Sequence, residues 1–372
     1  MPHASTSSTT IRAAVMPGKG EPVEVREFKA PDLAPDSAML EIELSEVCGT
    51  DVHLRDSRLA GVPYPIVPGH VSMGHLAKIR GRMNDIHGNA LAEGDRVTFL
   101  DVHRTCHACY HCLVAKASTR CPARKVYGIT YGIDDGLTGG WAEQLYLMPG
   151  THCIRLDGVA DEAFMAGGCG LPTAIHAIDR AQIQIGETAL VLGCGPVGLA
   201  AIILAKMAGA LRVLCIGAPQ MRLEAARLVG ADDVLDFTQV SLDDRIDWVM
   251  QHTHGRGADV TIEAAGAPAA VVHAMRMTRD AGRVVVVGQY TDHGDVAFNP
   301  HLDLNRKHLD VRGCWGSDFS HFFRGVQIMA DTERAAPWQK LKLERYGLDG
   351  ANEALRRVEE GAVIKALIDP RV

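Results

Sequence analysis

Aromatic residues are scarce in this chain, at 5%, and no run of about 18 consecutive apolar residues occurs anywhere in it. The second absence excludes a membrane-spanning helix. The first, beside 38 glycines and a 47% hydrophobic content, points to a globular α/β protein with many tight turns. Positive charge is also short: 38 Lys and Arg against 45 Asp and Glu leave a net charge of -7. No basic surface is then available for nucleic acid or anionic lipid, so neither is expected as a partner. The opening MPHASTSSTT lacks the apolar stretch of a signal peptide and reads as a frayed tail, so a cytoplasmic location is expected. There is no repeat of solenoid period. At 372 residues the chain exceeds one ordinary core, and two domains are expected.

Cysteine, by contrast, is plentiful, with ten residues. A large protein under a reducing poise has no need of disulfides, which leaves metal binding or catalysis. The segment CHACYHCLVAKASTRC sets Cys106, Cys109 and Cys112 as CxxCxxC, with Cys121 following after eight residues. Four thiolates so spaced fit one closed tetrahedral zinc that fixes a loop lacking its own core. An iron–sulfur ligand set or a group of inert thiols would give the same letters. His107 and His111 are interleaved and are expected to be solvated.

The first third of the chain reads as β structure with irregular loops. In LEIELSEV, Leu40, Ile42 and Leu44 alternate with Glu41, Glu43 and Ser45, as in a half-buried strand. That strand leads into CGTDVH, which holds a thiol, a hydroxyl, a carboxylate and an imidazole between Cys48 and His53. A plain helix start with Thr50 or Asp51 as N-cap is one explanation; a chemical site is the other. EGDRVTFL begins with a turn and enters another strand.

After about residue 170 the pattern changes to apolar strands alternating with helices, from TALVLG to GRVVVVGQ, which implies a parallel sheet covered on both faces. The strand TALVL runs into GCGPVG, so that Gly193, Gly195, Pro196, Val197 and Gly198 open an apolar helix. There a tight turn, a close backbone approach and a helix N-terminus would receive a pyrophosphate. The acid that would grip the adenine ribose should close the second strand. LRVLCIG closes with Gly217 instead, which predicts a relaxed choice between NAD and NADP. It also predicts a shift towards NAD in Gly217→Asp.

Together these segments resemble the zinc-containing alcohol dehydrogenases of the medium-chain dehydrogenase/reductase superfamily. The likeness runs from about Ile11 to the C-terminus. It rests on CGTDVH, PGHVSMG, GDRV, the cysteine quartet, GGWAE, GCGLPTAIHAI, GCGPVG and AVIKALIDP in family order. It implies an α/β fold made of a GroES-like β-rich catalytic domain, residues 1–171 and 315–372, and a Rossmann doubly wound parallel sheet, residues 172–314. It implies two zinc ions per chain: a catalytic one on Cys48, His70 and Cys169 with an open fourth position, and a structural one on the quartet.

By the same resemblance Thr50 and His53 relay the alcohol proton outward, and Asp51 orients a zinc ligand, with His70 the expected one. Arg222 stands beside the adenosine ribose and Lys365 at the cofactor pyrophosphate. Trp141 is expected to pack at a turn. Val71 departs from the family, which usually has Glu after the zinc-binding His, and this bears on ligand exchange. The spacing after Cys112 is one residue longer than common. The implied reaction is reversible hydride transfer between a small alcohol or carbonyl compound and NAD or NADP in a homodimer or homotetramer. Two alternatives stand beside it: a zinc-free quinone or enoyl reductase of the superfamily, and a catalytically idle binding protein of the same fold.

Overall fold

The computed structural model describes residues 10–372, so the tail predicted for the first nine residues lies outside it. The described residues form two compact units, 10–158 with Leu343–Val372, and Val159–Lys342. No helix among the described residues is long and apolar enough to cross a membrane.

The first unit is built on a seven-stranded sheet whose central member is the strand Ser37–Val47. It pairs antiparallel with Ser72–Arg80 on one side, and with Gln144–Leu147 and Lys365–Ile368 on the other. The C-terminal segment therefore returns to this sheet. Leu40 and Ile42 face one core, with Leu76, Val97 and Phe99, whereas Met39 and Val47 face another, with Val52, Trp141 and Leu355. Glu41 is exposed, as alternation predicts, but Ser45 and Glu46 are both buried, because the strand passes inward as it nears Cys48.

In the second unit six strands run parallel in the order Asp233–Asp236, Arg212–Gly217, Thr188–Leu192, Ala258–Glu263, Thr278–Val286 and Asp310–Gly313. Leu190, Val191, Val213 and Leu214 are fully buried, as both-sided cover requires. Chain order reverses beside Thr188–Leu192, and the crevice at the carboxyl ends of such strands is where this architecture receives ligands. The helix Pro196–Met207 starts at that point.

The packing divisions fall after Gly158 and Lys342, whereas the sequence predicts functional divisions at 171/172 and 314/315. The intervening segments are the helices Asp161–Gly167, Phe319–Ala330 and Thr332–Gln339, whose apolar faces pack on one another in the second unit.

Candidate active site and metal centre

The cysteine quartet forms a compact group in the first unit. Cys106 lies in a loop, Cys109 caps the four-residue helix Tyr110–Leu113, Cys112 is on that helix, and Cys121 follows the turn Ser118–Arg120. Their four sulfurs lie within 4.8 Å of one another. The pairs Cys109–Cys112 and Cys106–Cys121 are each 3.6 Å apart. Tetrahedral zinc–sulfur bonds would set sulfurs about 3.8 Å apart, so the group fits one ion. The Ala108 N–H and the Cys109 thiol draw the Cys106 thiol down to about 6, while desolvation and Cys109 push Cys112 up to about 11. His107 is exposed and meets Thr105 at 3.2 Å, and neither it nor His111 joins the group.

The second group begins at the end of the central strand. Cys48 is the N-cap of the helix Gly49–Arg55: its sulfur accepts the Thr50 N–H at 3.3 Å, while Asp51 Oδ2 accepts the Cys48 N–H at 2.8 Å. The cap is thus neither Thr50 nor Asp51, as a plain helix start would have it. The thiol takes that place, and Asp51 closes the reciprocal box three residues on. Asp51 Oδ2 holds the Cys48 amide, and no hydrogen bond joins Asp51 to the expected His70.

His70 approaches from the loop before Ser72–Arg80 and sets Nε2 4.0 Å from Cys48 Sγ. That is less than the roughly 4.3 Å sum of a zinc–sulfur and a zinc–nitrogen bond, so one ion can touch both. Burial pushes the His70 imidazole down, but the Cys48 sulfur and the Asp51 carboxylate outweigh it and hold the ring up at about 10. Burial, then the Cys48 sulfur, pushes Asp51 well above the usual carboxylate range. Asp51 Oδ1 and His70 Nδ1 are buried with no hydrogen-bond partner. A buried cluster of acidic groups around one imidazole is costly unless a cation compensates it.

Gly69 explains how the loop gets there. Its φ of +90° is left-handed, and a Cβ would lie 2.5 Å from both Ser45 Oγ and the Trp141 ring. Trp141 is buried, as expected, and its indole N–H donates to the Glu46 carbonyl at 2.9 Å. Thr50 and His53 sit half-exposed three residues apart on one helix, spaced to share a face. Val71 is buried, and its carbonyl accepts the Glu46 N–H at 2.9 Å, so the position serves the sheet. Cys169 is in the second unit, at the N-cap of the helix Gly170–Ala181.

Lys365 is not solvated. It is 2% exposed and forms an ion pair with Glu46, itself 1% exposed. Glu46 was missed by sequence reasoning although a signal existed: it follows Leu40, Ile42 and Leu44 in register, so an acid there points inward.

At the glycine loop, Gly193 has φ +101°, and a Cβ there would lie 2.8 Å from the Ala264 carbonyl. A Cβ on Gly198 would lie 2.0 Å from the Gly193 carbonyl oxygen, so helix and strand meet only through glycine. Around Gly195 nothing lies within 4 Å of that position, which leaves open space at the N-cap of Pro196–Met207, with Pro196 in its first turn and Val197 after it. These are the three uses that a pyrophosphate-binding turn makes of its glycines. Arg222 lies on the helix Gln220–Leu228, largely buried, and that burial holds its guanidinium below its ordinary value. A Cβ at Gly217 would lie 2.3 Å from Cys194 Sγ, so an aspartate there requires that thiol or the loop carrying it to move.

Comparison with known proteins agrees with this arrangement. Residues 34–158 match the alcohol dehydrogenase GroES-like domain, and residues 196–331 the zinc-binding dehydrogenase domain. The 5-exo-hydroxycamphor dehydrogenase of Pseudomonas putida is 32% identical over 361 residues, spanning 96% of this chain and 98% of that protein. An alcohol dehydrogenase structure from Thermotoga maritima superposes with a TM-score of 0.90 at 31% identity, covering 97% of this chain and 99% of that one. A structure from Sinorhizobium meliloti 1021 bound to NADP shares the fold, with a TM-score of 0.82 at 24% identity over 97% of this chain and 100% of that one. With both halves matched and a relative alike along almost its whole length, the chain belongs to the zinc-type alcohol dehydrogenases of the medium-chain dehydrogenase/reductase superfamily, oxidoreductases acting on CH–OH groups.

Proposed function

We propose that the protein is a zinc-dependent NAD(P) alcohol dehydrogenase that interconverts an alcohol or polyol and its carbonyl compound. The observation that carries this reading is the buried pair of Cys48 Sγ and His70 Nε2, 4.0 Å apart, with the Cys48 amide held by Asp51. Cys169 is the third ligand in this proposal, and the quartet holds a second, structural ion. A zinc-free reductase would need neither group. When bound, zinc supplies Lewis-acid polarisation of a hydroxyl oxygen, and the nicotinamide ring supplies the hydride acceptor.

The chain's own residues do the rest. Cys48 is oriented by its cap to Thr50 N–H, and its backbone is fixed by Asp51. The Thr50 hydroxyl takes the substrate proton, and His53, on the same face, hands it to water; an imidazole suits this step because its ordinary pKa lies near neutrality. Gly193, Gly195 and Gly198 let the backbone approach the dinucleotide pyrophosphate, with Lys365 as its cationic contact, while Arg222 stands beside the adenosine ribose. Lys365 reaches that role only if its bond to Glu46 is shared or exchanged.

The hydroxycamphor and sorbitol dehydrogenases among the relatives make alicyclic alcohols and polyols the first substrates to try. A homo-oligomer acting in the cytoplasm is part of the same proposal. The test is reduced-nicotinamide absorbance with both dinucleotides across such a panel, before and after zinc chelation. Turnover that falls on chelation and returns with zinc supports the reading; turnover indifferent to chelation overturns it.

A further inference from the structure

We propose that Cys194, the residue between two glycines of the GCGPVG turn, determines dinucleotide choice by occupying the space an acidic side chain at position 217 would need. The inference rests on the dinucleotide site proposed above and names a residue that sets its specificity. In parallel sheets of this kind, an acid closing the second strand accepts hydrogen bonds from the adenine ribose and repels a 2'-phosphate. Here the strand Arg212–Gly217 ends on glycine.

Backbone conformation does not require that glycine, because Gly217 lies outside the left-handed region that Gly69 and Gly193 occupy. Space does. A Cβ at 217 would lie 2.3 Å from Cys194 Sγ, 3.1 Å from its Cβ and 3.2 Å from its amide nitrogen. The thiol cannot simply swing aside. Cys194 is 2% exposed, its Sγ donates to the Ala218 carbonyl at 3.4 Å, and it is hydrogen-bonded to the buried Cys215 thiol. A cysteine has one side-chain torsion, so moving the sulfur breaks both contacts at once.

The corner therefore admits no acid, while the Arg222 guanidinium lies near enough to favour negative charge on Cys194. Cys194 and Gly217 form a matched pair: the thiol keeps the 2'-position clear of carboxylate, and a phosphate is tolerated there beside Arg222.

A double-mutant cycle tests this on the full chain by titrating NAD and NADP into the parent, Cys194→Ala, Gly217→Asp and the double variant. Gly217→Asp alone should weaken both dinucleotides by about tenfold, the signature of a displaced loop. Adding Cys194→Ala should restore NAD affinity and leave NADP weakened, so that the preference moves towards NAD only in the double variant. A clean shift to NAD by Gly217→Asp alone would overturn the role of Cys194 and leave the dinucleotide site standing. A parent that binds neither dinucleotide would overturn both. Should the aspartate variants fail to fold, Gly217→Ala decides: it should lower the melting temperature more in the parent than in Cys194→Ala, where only the tight contacts with the Cβ and amide of residue 194 remain, and an equal effect in both backgrounds contradicts the proposal.

Discussion

Cys48 has two functions at one atom: its sulfur caps a seven-residue helix and lies 4.0 Å from the His70 imidazole. The backbone N–H at 3.3 Å favours a negatively charged sulfur, which is the form a metal requires. Replacing Cys48 or Cys169 by alanine should therefore abolish hydride transfer while one zinc per chain remains. Metal analysis beside activity checks this, and near-normal turnover in both variants removes them from the site. His53 makes a separate prediction. His53→Ala should slow alcohol oxidation most below neutral pH, because at high pH hydroxide can accept the proton directly. A pH–rate profile parallel to that of the parent would take His53 out of the relay. The resemblance of CGTDVH and GCGLPTAIHAI to family motifs is enough to choose these residues. What the letters could not reveal is which one caps the helix, because Cys is not among the usual capping residues.

The strand Ser37–Val47 and the strand Lys365–Ile368 carry the next level of the argument, for they join distant parts of the sequence through a buried ion pair. Removing one partner of such a pair leaves an uncompensated charge, so Lys365→Ala should cost about 3–5 kcal/mol of stability, whereas Lys365→Met with Glu46→Leu should recover most of it. Chemical denaturation of the three proteins measures both. A Lys365→Ala variant as stable as the parent would mean that the pair is solvated in solution. The loop of the cysteine quartet is the opposite kind of element. Its four sulfurs converge, and it carries Tyr110, Leu113 and Val114 largely exposed, with little core of its own. Cys109→Ala should accordingly lower the melting temperature before it changes turnover. A variant that lost activity at unchanged melting temperature would exchange the roles of the two cysteine groups.

Across the whole molecule, the elements with the strongest periodicity were the most legible. The alternating Leu40, Ile42 and Leu44 and the apolar strands after residue 170 became the two sheets, and the glycine turn fell at the reversal of strand order. Less legible were features set by contacts between distant residues. Glu46 falls on the apolar register of its strand, but nothing local names Lys365 as its partner, and Gly217 looks like a missing acid until Cys194 is seen beside it. The helices Asp161–Gly167, Phe319–Ala330 and Thr332–Gln339 join the second unit by packing, which no local signal specifies. The central claim is that two groups in this chain bind zinc for two purposes. Its most direct test is to follow zinc content, melting temperature and turnover together during graded chelation of the purified protein. The account predicts two zinc ions per chain at the outset and loss of turnover in step with the first ion removed, while melting falls only with the second. A fully active protein containing no zinc would contradict it.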